Sequence, residues 1–243
     1  MGPGREPHPF VLESAGQFKA KAPPELSSDK WAKDFNETKA YSRAVSAVRT
    51  DDQKKTAYFW NGNVTNQFNR ELRDAATQYD MDLVDAAHLL AAGDLAAEDA
   101  AMATWHSKYT YLFWRPQTAI QNAGIDGNPK TAADSTWAPL ITHPNHPEWP
   151  SAHGSVSGAL TQVLAEVLGT KDVNITIWSG ENGSAARTMS RHYDSIKDIR
   201  EEVENGRVWG GFHYRSSVDA GLKLGEKVAH WDLQHAFRRA KGD

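Results

Sequence analysis

The chain contains no cysteine, which excludes disulfides, thiolate metal sites and a cysteine nucleophile while leaving the redox compartment open. It also lacks any apolar run approaching the ~18 residues that a membrane-spanning helix needs. Residues 1–10 do not carry the apolar core of a signal peptide. The expectation is a soluble protein of unassigned compartment: intracellular, or secreted or periplasmic if a leader has been removed. An excess of one charge is missing too. With 27 basic and 31 acidic residues the net charge is −4, so nothing suggests a nucleic acid or another polyanion as partner. Any basic site must be local.

What is present is ordinary in bulk. The 243 residues, 40% hydrophobic and 24% charged, suffice for one sizeable core. Nine tryptophans are many and read mainly as packing bulk between helices. Residues 1–26 are expected to form an extended arm, because Pro3, Pro7, Pro9, Pro23 and Pro24 prevent a regular helix. Residues 27–243 are expected to form a single helical domain. Ser27 or Ser28 caps a first helix; a second runs from Asp51 and Asp52 through Trp60 and breaks at Asn61-Gly62-Asn63; a third covers about 64–78. The alanine-rich stretch 82–114 reads as one long helix, with Gly93 as a candidate kink, and Pro116 suits the first turn of the next. Glycines and prolines make 123–150 irregular, a loop length that usually carries function. A helix from Ser151 to Leu168 follows, then two more over about 195–209 and 215–238. Only Val173–Trp178 hints at a strand. The pattern predicts an all-α helical bundle.

Three islands carry chemistry. In Lys108-Tyr-Thr-Tyr-Leu-Phe-Trp-Arg115-Pro116 two cations stand seven residues apart. On a continuous helix they share a face, tolerable if an anion lies between them, though these residues alone favour a solvated basic edge. In Pro150-Ser151-Ala152-His153-Gly154 a helix start offers unpaired amides, a hydroxyl and a proton-transferring imidazole; a surface histidine at a helix start is the plain alternative. In Arg207-Val-Trp-Gly-Gly-Phe-His213 the glycines let a guanidinium and an imidazole converge past a helix end, unless they mark only a cap and a packed histidine. Together the islands hold three cations, a helix N-terminus and two histidines. That inventory suits a tetrahedral oxyanion.

The order Lys-x6-Arg-Pro, Pro-Ser-x-His, Arg-x5-His resembles the signature of the vanadium-dependent haloperoxidases and type 2 phosphatidic acid phosphatases. Gly16-Gln17-Phe18 and Trp105-His-Ser-Lys108 resemble the bacterial haloperoxidase-like branch in particular. Members of that branch are typically longer, so this chain corresponds mainly to their C-terminal half. The resemblance implies that Lys108, Arg115 and Arg207 bind equatorial oxygens of vanadate or phosphate, assisted by Ser151 and the Ala152 amide. It implies that His213 is the axial vanadium ligand, or the nucleophile in a phosphatase, and that His153 is the general acid–base. It further implies hydrogen peroxide, a halide and a small organic acceptor as partners, with a homo-oligomer left open. His146 and Trp149 are candidates for tuning halide oxidation.

Two departures from the family pattern stand out. Ala152 replaces the usual glycine, and Ser217 occupies the place where phosphatases of the family carry an aspartate that orients the last histidine. Lacking that carboxylate, His213 is expected to serve better as a metal ligand than as a nucleophile, which favours peroxidase over acid phosphatase. A non-catalytic oxyanion-binding relative is a further alternative. From another class, His143, His146 and His153 have the weak outline of a divalent-metal site.

Overall fold

The computed structural model describes residues 8–180 and 188–236. Pro3 and Pro7 of the arm, and the helix end expected near residue 238, lie outside the described residues. The fold is mostly helical, in the order α1 (Asp29–Tyr41), α2 (Asp51–Phe59), α3 (Val64–Gln78), α4 (Leu83–Tyr111), α5 (Pro116–Gln121), α6 (Ala152–Leu168), β1 (Asp172–Ser179), β2 (Met189–Ser195), α7 (Ile196–Gly210) and α8 (Arg215–His235).

Local chemistry sets the helix starts. The side chains of Ser28, Asn63, Ser151 and Ser195 each accept a backbone N–H three residues on, satisfying a donor that the first turn leaves unpaired. Thr50 and Gln53 form a reciprocal capping box. At the other ends, α6 and α7 stop at left-handed Gly169 and Gly211, where the missing Cβ removes the steric cost.

The core centres on α6, packed between α4 and α8. Glycines make the α6–α8 approach close: a Cβ on Gly158 would strike the backbone of Leu222, and one on Gly225 would strike the backbone of Ser155. Gly93 leaves α4 unbroken. It admits Leu72 of α3, whose Cδ1 would lie 2.6 Å from an added Cβ. The tryptophans do pack helices: Trp31, Trp60 and Trp137 are fully buried.

The strand expected near Val173–Trp178 exists and pairs antiparallel with β2, with Ile175 opposite Tyr193 and Ile177 opposite Arg191. Strand β2 has no apolar alternation in its sequence, since Tyr193 is its one buried side chain. It pairs because β1 presents an edge and Ile196 N–H bonds Lys171 O at 2.9 Å.

Residues 8–26 follow α4. Asp99 accepts the amides of Phe10, Val11 and Leu12 at 2.7, 2.8 and 3.0 Å. Ser107 Oγ then accepts the Ala20 amide, and Tyr111 donates to Ala20 O. Among the described residues no helix is long and apolar enough to cross a membrane.

Candidate oxyanion-binding site

The expected continuous helix from Lys108 to Arg115 is not what unites these cations. Helix α4 ends at Tyr111, Leu112 turns left-handed at φ 49°, and Arg115 is the N-cap residue of α5. The two meet because both clasp the loop before α6. Lys108 Nζ donates to Pro147 O at 2.9 Å and Glu148 O at 2.8 Å. Arg115 donates from Nε to His146 O at 3.0 Å and from Nη1 to Phe212 O at 2.7 Å. An ammonium has three protons, so Lys108 keeps one for a ligand.

Arg207 enters from the last turn of α7. Its Nη1 donates to Trp60 O at 2.8 Å, its guanidinium lies 3.7 Å from the Phe212 ring centroid, and its buried Nε has no partner. Gly211 at φ 89° ends α7 and swings Phe212 and His213 back, so Arg207 and His213 converge as the glycine pair suggested.

His213 shows what the sequence concealed. Its Nδ1 lies 2.7 Å from Glu148 Oε1, and the same oxygen accepts the Tyr214 amide at 3.2 Å. Glu148 is fully buried, and it supplies the orienting carboxylate that seemed absent when Ser217 replaced aspartate. Ser217 instead accepts the Ser151 amide on its carbonyl at 3.1 Å, fixing the start of α6. With Nδ1–H donating to Glu148, Nε2 carries the lone pair, 3.4 Å from Arg115 Nη1.

Ser151 is fully buried at the α6 N-cap, where Oγ accepts the Gly154 amide at 3.2 Å. Its hydroxyl hydrogen is left to donate, beside the Ala152 amide in the first turn. His153 Nε2 lies 2.9 Å from Gly62 O. It therefore donates there, leaving Nδ1 for proton exchange. The Trp60–Gly62 turn thus holds both Arg207 and His153. It is held in turn by Glu202, which accepts Trp60 Nε1 at 3.0 Å and Tyr193 OH at 2.8 Å.

The electrostatics follow from burial. Desolvation, then Arg115, pushes Lys108 down to about 7. Desolvation, then Arg115, also lowers Arg207. Burial raises Glu148, against the pull of Arg115 and Lys108. Desolvation holds His153 and His213 well below the usual imidazole range, helped most by Arg207 and Arg115 respectively. Three buried cations thus face one carboxylate and two neutral imidazoles. Such a surplus is costly without an anion.

The remaining candidates divide. His146 belongs to the site: Nδ1 lies 3.1 Å from Arg115 Nη2 and its ring packs edge-on to Trp105 at 4.6 Å. Burial, then Arg115, lowers its pKa to about 4. Trp149 is spent on structure, with its indole N–H on Lys21 O at 2.8 Å and its ring against Phe113. The metal site drawn from His143, His146 and His153 does not form; among the described residues no group of three or more metal-ligating side chains gathers. Glu148 had one sequence signal, a carboxylate three residues before Ser151 in the same Pro-x-x-Pro loop.

Residues 88–242 match the family model of the VCPO second helical-bundle domain. The chain belongs to the vanadium haloperoxidase family. It is 26% identical over 182 residues to the vanadium chloroperoxidase of Curvularia inaequalis, covering 58% of this chain and 29% of that one. A solved bacterial vanadium-dependent iodoperoxidase superposes with a TM-score of 0.76 at 27% identity, over 93% of this chain and 55% of the other. A bacterial vanadium-dependent chloroperoxidase solved in holo form shares the fold at 20% identity, with a TM-score of 0.71 over 93% and 52%. The chain therefore spans about half the length of these solved haloperoxidases and under a third of the curated one.

Proposed function

We propose that the pocket binds vanadate and that the chain is a haloperoxidase, oxidising halide with hydrogen peroxide. The observation that carries this is the buried cation surplus around an imidazole whose Nδ1 is tied to Glu148 and whose Nε2 makes a long 3.4 Å contact with Arg115 Nη1. The residues fit the group: Arg207 Nε is buried without a partner, Lys108 retains a proton, and the α6 start adds a hydroxyl and an amide. Lys108, Arg115 and Arg207 would hold the oxygens of vanadate with Ser151 and Ala152, and His213 Nε2 would ligate its vanadium. Bound there, vanadate supplies Lewis-acid activation of peroxide. His153 accepts and returns the proton at Nδ1, a task suited to its neutral state. His146, packed against Arg115 and Trp105, tunes halide oxidation; Trp149 acts by fixing the loop. In this reading the partners are peroxide, halide and a small organic acceptor.

The test is turnover of bromide, peroxide and a phenol by protein saturated with orthovanadate, beside the vanadate affinity of His213→Ala. Tight binding by the wild type and its loss in the variant are expected. No turnover at full vanadate occupancy would sink the peroxidase reading.

A second reading is favoured by the Glu148–His213 pair itself, which removes the reason to discount a phosphatase. Here Nε2 attacks phosphorus and the ester P–O bond breaks, and the departing alkoxide takes a proton from His153, which must first gain one at Nδ1 when the anionic phosphate binds beside it. It predicts p-nitrophenyl phosphate hydrolysis that vanadate inhibits and His213→Ala abolishes.

A further inference from the structure

Next to the anion pocket, the C-terminal end of α4 exposes three large apolar side chains. Trp105, Tyr109 and Leu112 are 39%, 62% and 67% exposed. The spacing of four puts Trp105 and Tyr109 on one side of the helix, and Leu112 is the cap that follows its last residue. The Trp105 and Tyr109 rings lie 6.3 Å apart, inclined by only 30°. They form a shallow aromatic step. Its inner end is the pocket: His146 packs edge-on to Trp105 at 4.6 Å, and Lys108 Nζ lies 5.9 Å from the same ring.

Leu112 adds an independent sign. A left-handed φ of 49° costs a leucine roughly 1–2 kcal/mol, where glycine or asparagine would end the helix more cheaply. The residue turns the chain toward Arg115 and still presents an apolar side chain to water. Exposed aromatic surface beside a cluster of buried cations is the kind of surface that ligands use.

We propose that Trp105, Tyr109 and Leu112 form the docking platform for the organic acceptor, a planar electron-rich aromatic such as a phenol. This deepens the haloperoxidase reading and rests on it for the reaction, though not for the binding. A phenol ring stacked on Tyr109 and Trp105 gains offset π contact, and its edge points along the step toward His146. There the ring C–H is replaced by C–X as hypohalous acid gives up its halogen; the ring proton leaves with the hydroxide of the acid as water. Holding the acceptor beside the pocket shortens the path over which the oxidant must survive.

Binding is measured without turnover, by 19F NMR titration of 4-fluorophenol into the full chain. Saturable binding is expected, weakened about three- to ten-fold in Tyr109→Ala and in Leu112→Ala and retained in Tyr109→Phe. A fluorocyclohexanol of similar size should bind more weakly and ignore Tyr109→Ala. Absence of saturable phenol binding, or equal affinity in wild type and Tyr109→Ala, overturns the platform. So does a finding by sedimentation that Tyr109→Ala dissociates a dimer while phenol affinity stays the same. Iodide oxidation by the wild type, read as triiodide with no organic acceptor, reports separately on the haloperoxidase reading. If that fails while Tyr109→Ala weakens phenol binding, the platform stands and the peroxidase assignment falls.

Discussion

Replacing Glu148 by glutamine tests the central electrostatic claim. Glutamine keeps the shape and an acceptor for His213 Nδ1 but removes the one carboxylate facing Lys108, Arg115 and Arg207. Breaking a buried ion pair by deleting one partner costs about 3–5 kcal/mol. Lys108 already sits near 7, so it can shed its proton and relieve part of the strain, and the lower figure is the better guide. At roughly 2–4 °C per kcal/mol for a chain of this size, the variant should melt some 6–12 °C lower in anion-free buffer. Because the carboxylate also repels a bound anion, phosphate should then raise the melting temperature of the variant more than that of the wild type. Activity should fall about 10- to 100-fold, since the carboxylate orients His213 and raises its basicity. The assay is a thermal melt across a phosphate titration, followed by turnover. If the variant melts within ~2 °C of wild type and gains no more from phosphate, the cations do not share one desolvated pocket with Glu148, and the reasoning is wrong.

Two further predictions concern proton linkage and packing. Lys108 must be protonated to hold an anion, and its pKa near 7 rises when one binds. Affinity is therefore full below pH 7 and falls by up to about tenfold per unit above it. Calorimetry with sulfate, whose charge is constant over the range, should show that decline and proton uptake at pH 7; a flat profile to pH 9 would contradict it. Gly225→Ala, whose Cβ would strike Ser155 backbone, should cost about 3 kcal/mol or more by forcing α6 from α8. Gly124→Ala, with nothing within 4 Å of its Cβ, should stay within about 1 kcal/mol of wild type; equal destabilisation of the two would refute the close-approach account.

The sequence by itself determined most helix limits and named the cations and histidines that the fold brings near one another. Caps, breakers and first-turn amides are local, so Ser28 and Ser151 announce their helices and Asn61-Gly62-Asn63 separates two, and each island of the site keeps its spacing within a few positions. Only the tertiary structure decided how the islands meet. Lys108 and Arg115 converge through the carbonyls of a loop some 30–40 residues away, not along one helix. Strand β2 forms against an edge that its own polar sequence does not demand. Trp149 donates its indole N–H to Lys21 O of the N-terminal segment, 128 residues away. The orienting partner of His213 is Glu148, 65 residues distant, while Ser217, in the expected position, contributes its carbonyl to the α6 start. A carboxylate can reach an imidazole from any element that packs beside it, so spacing along the chain does not constrain which one does.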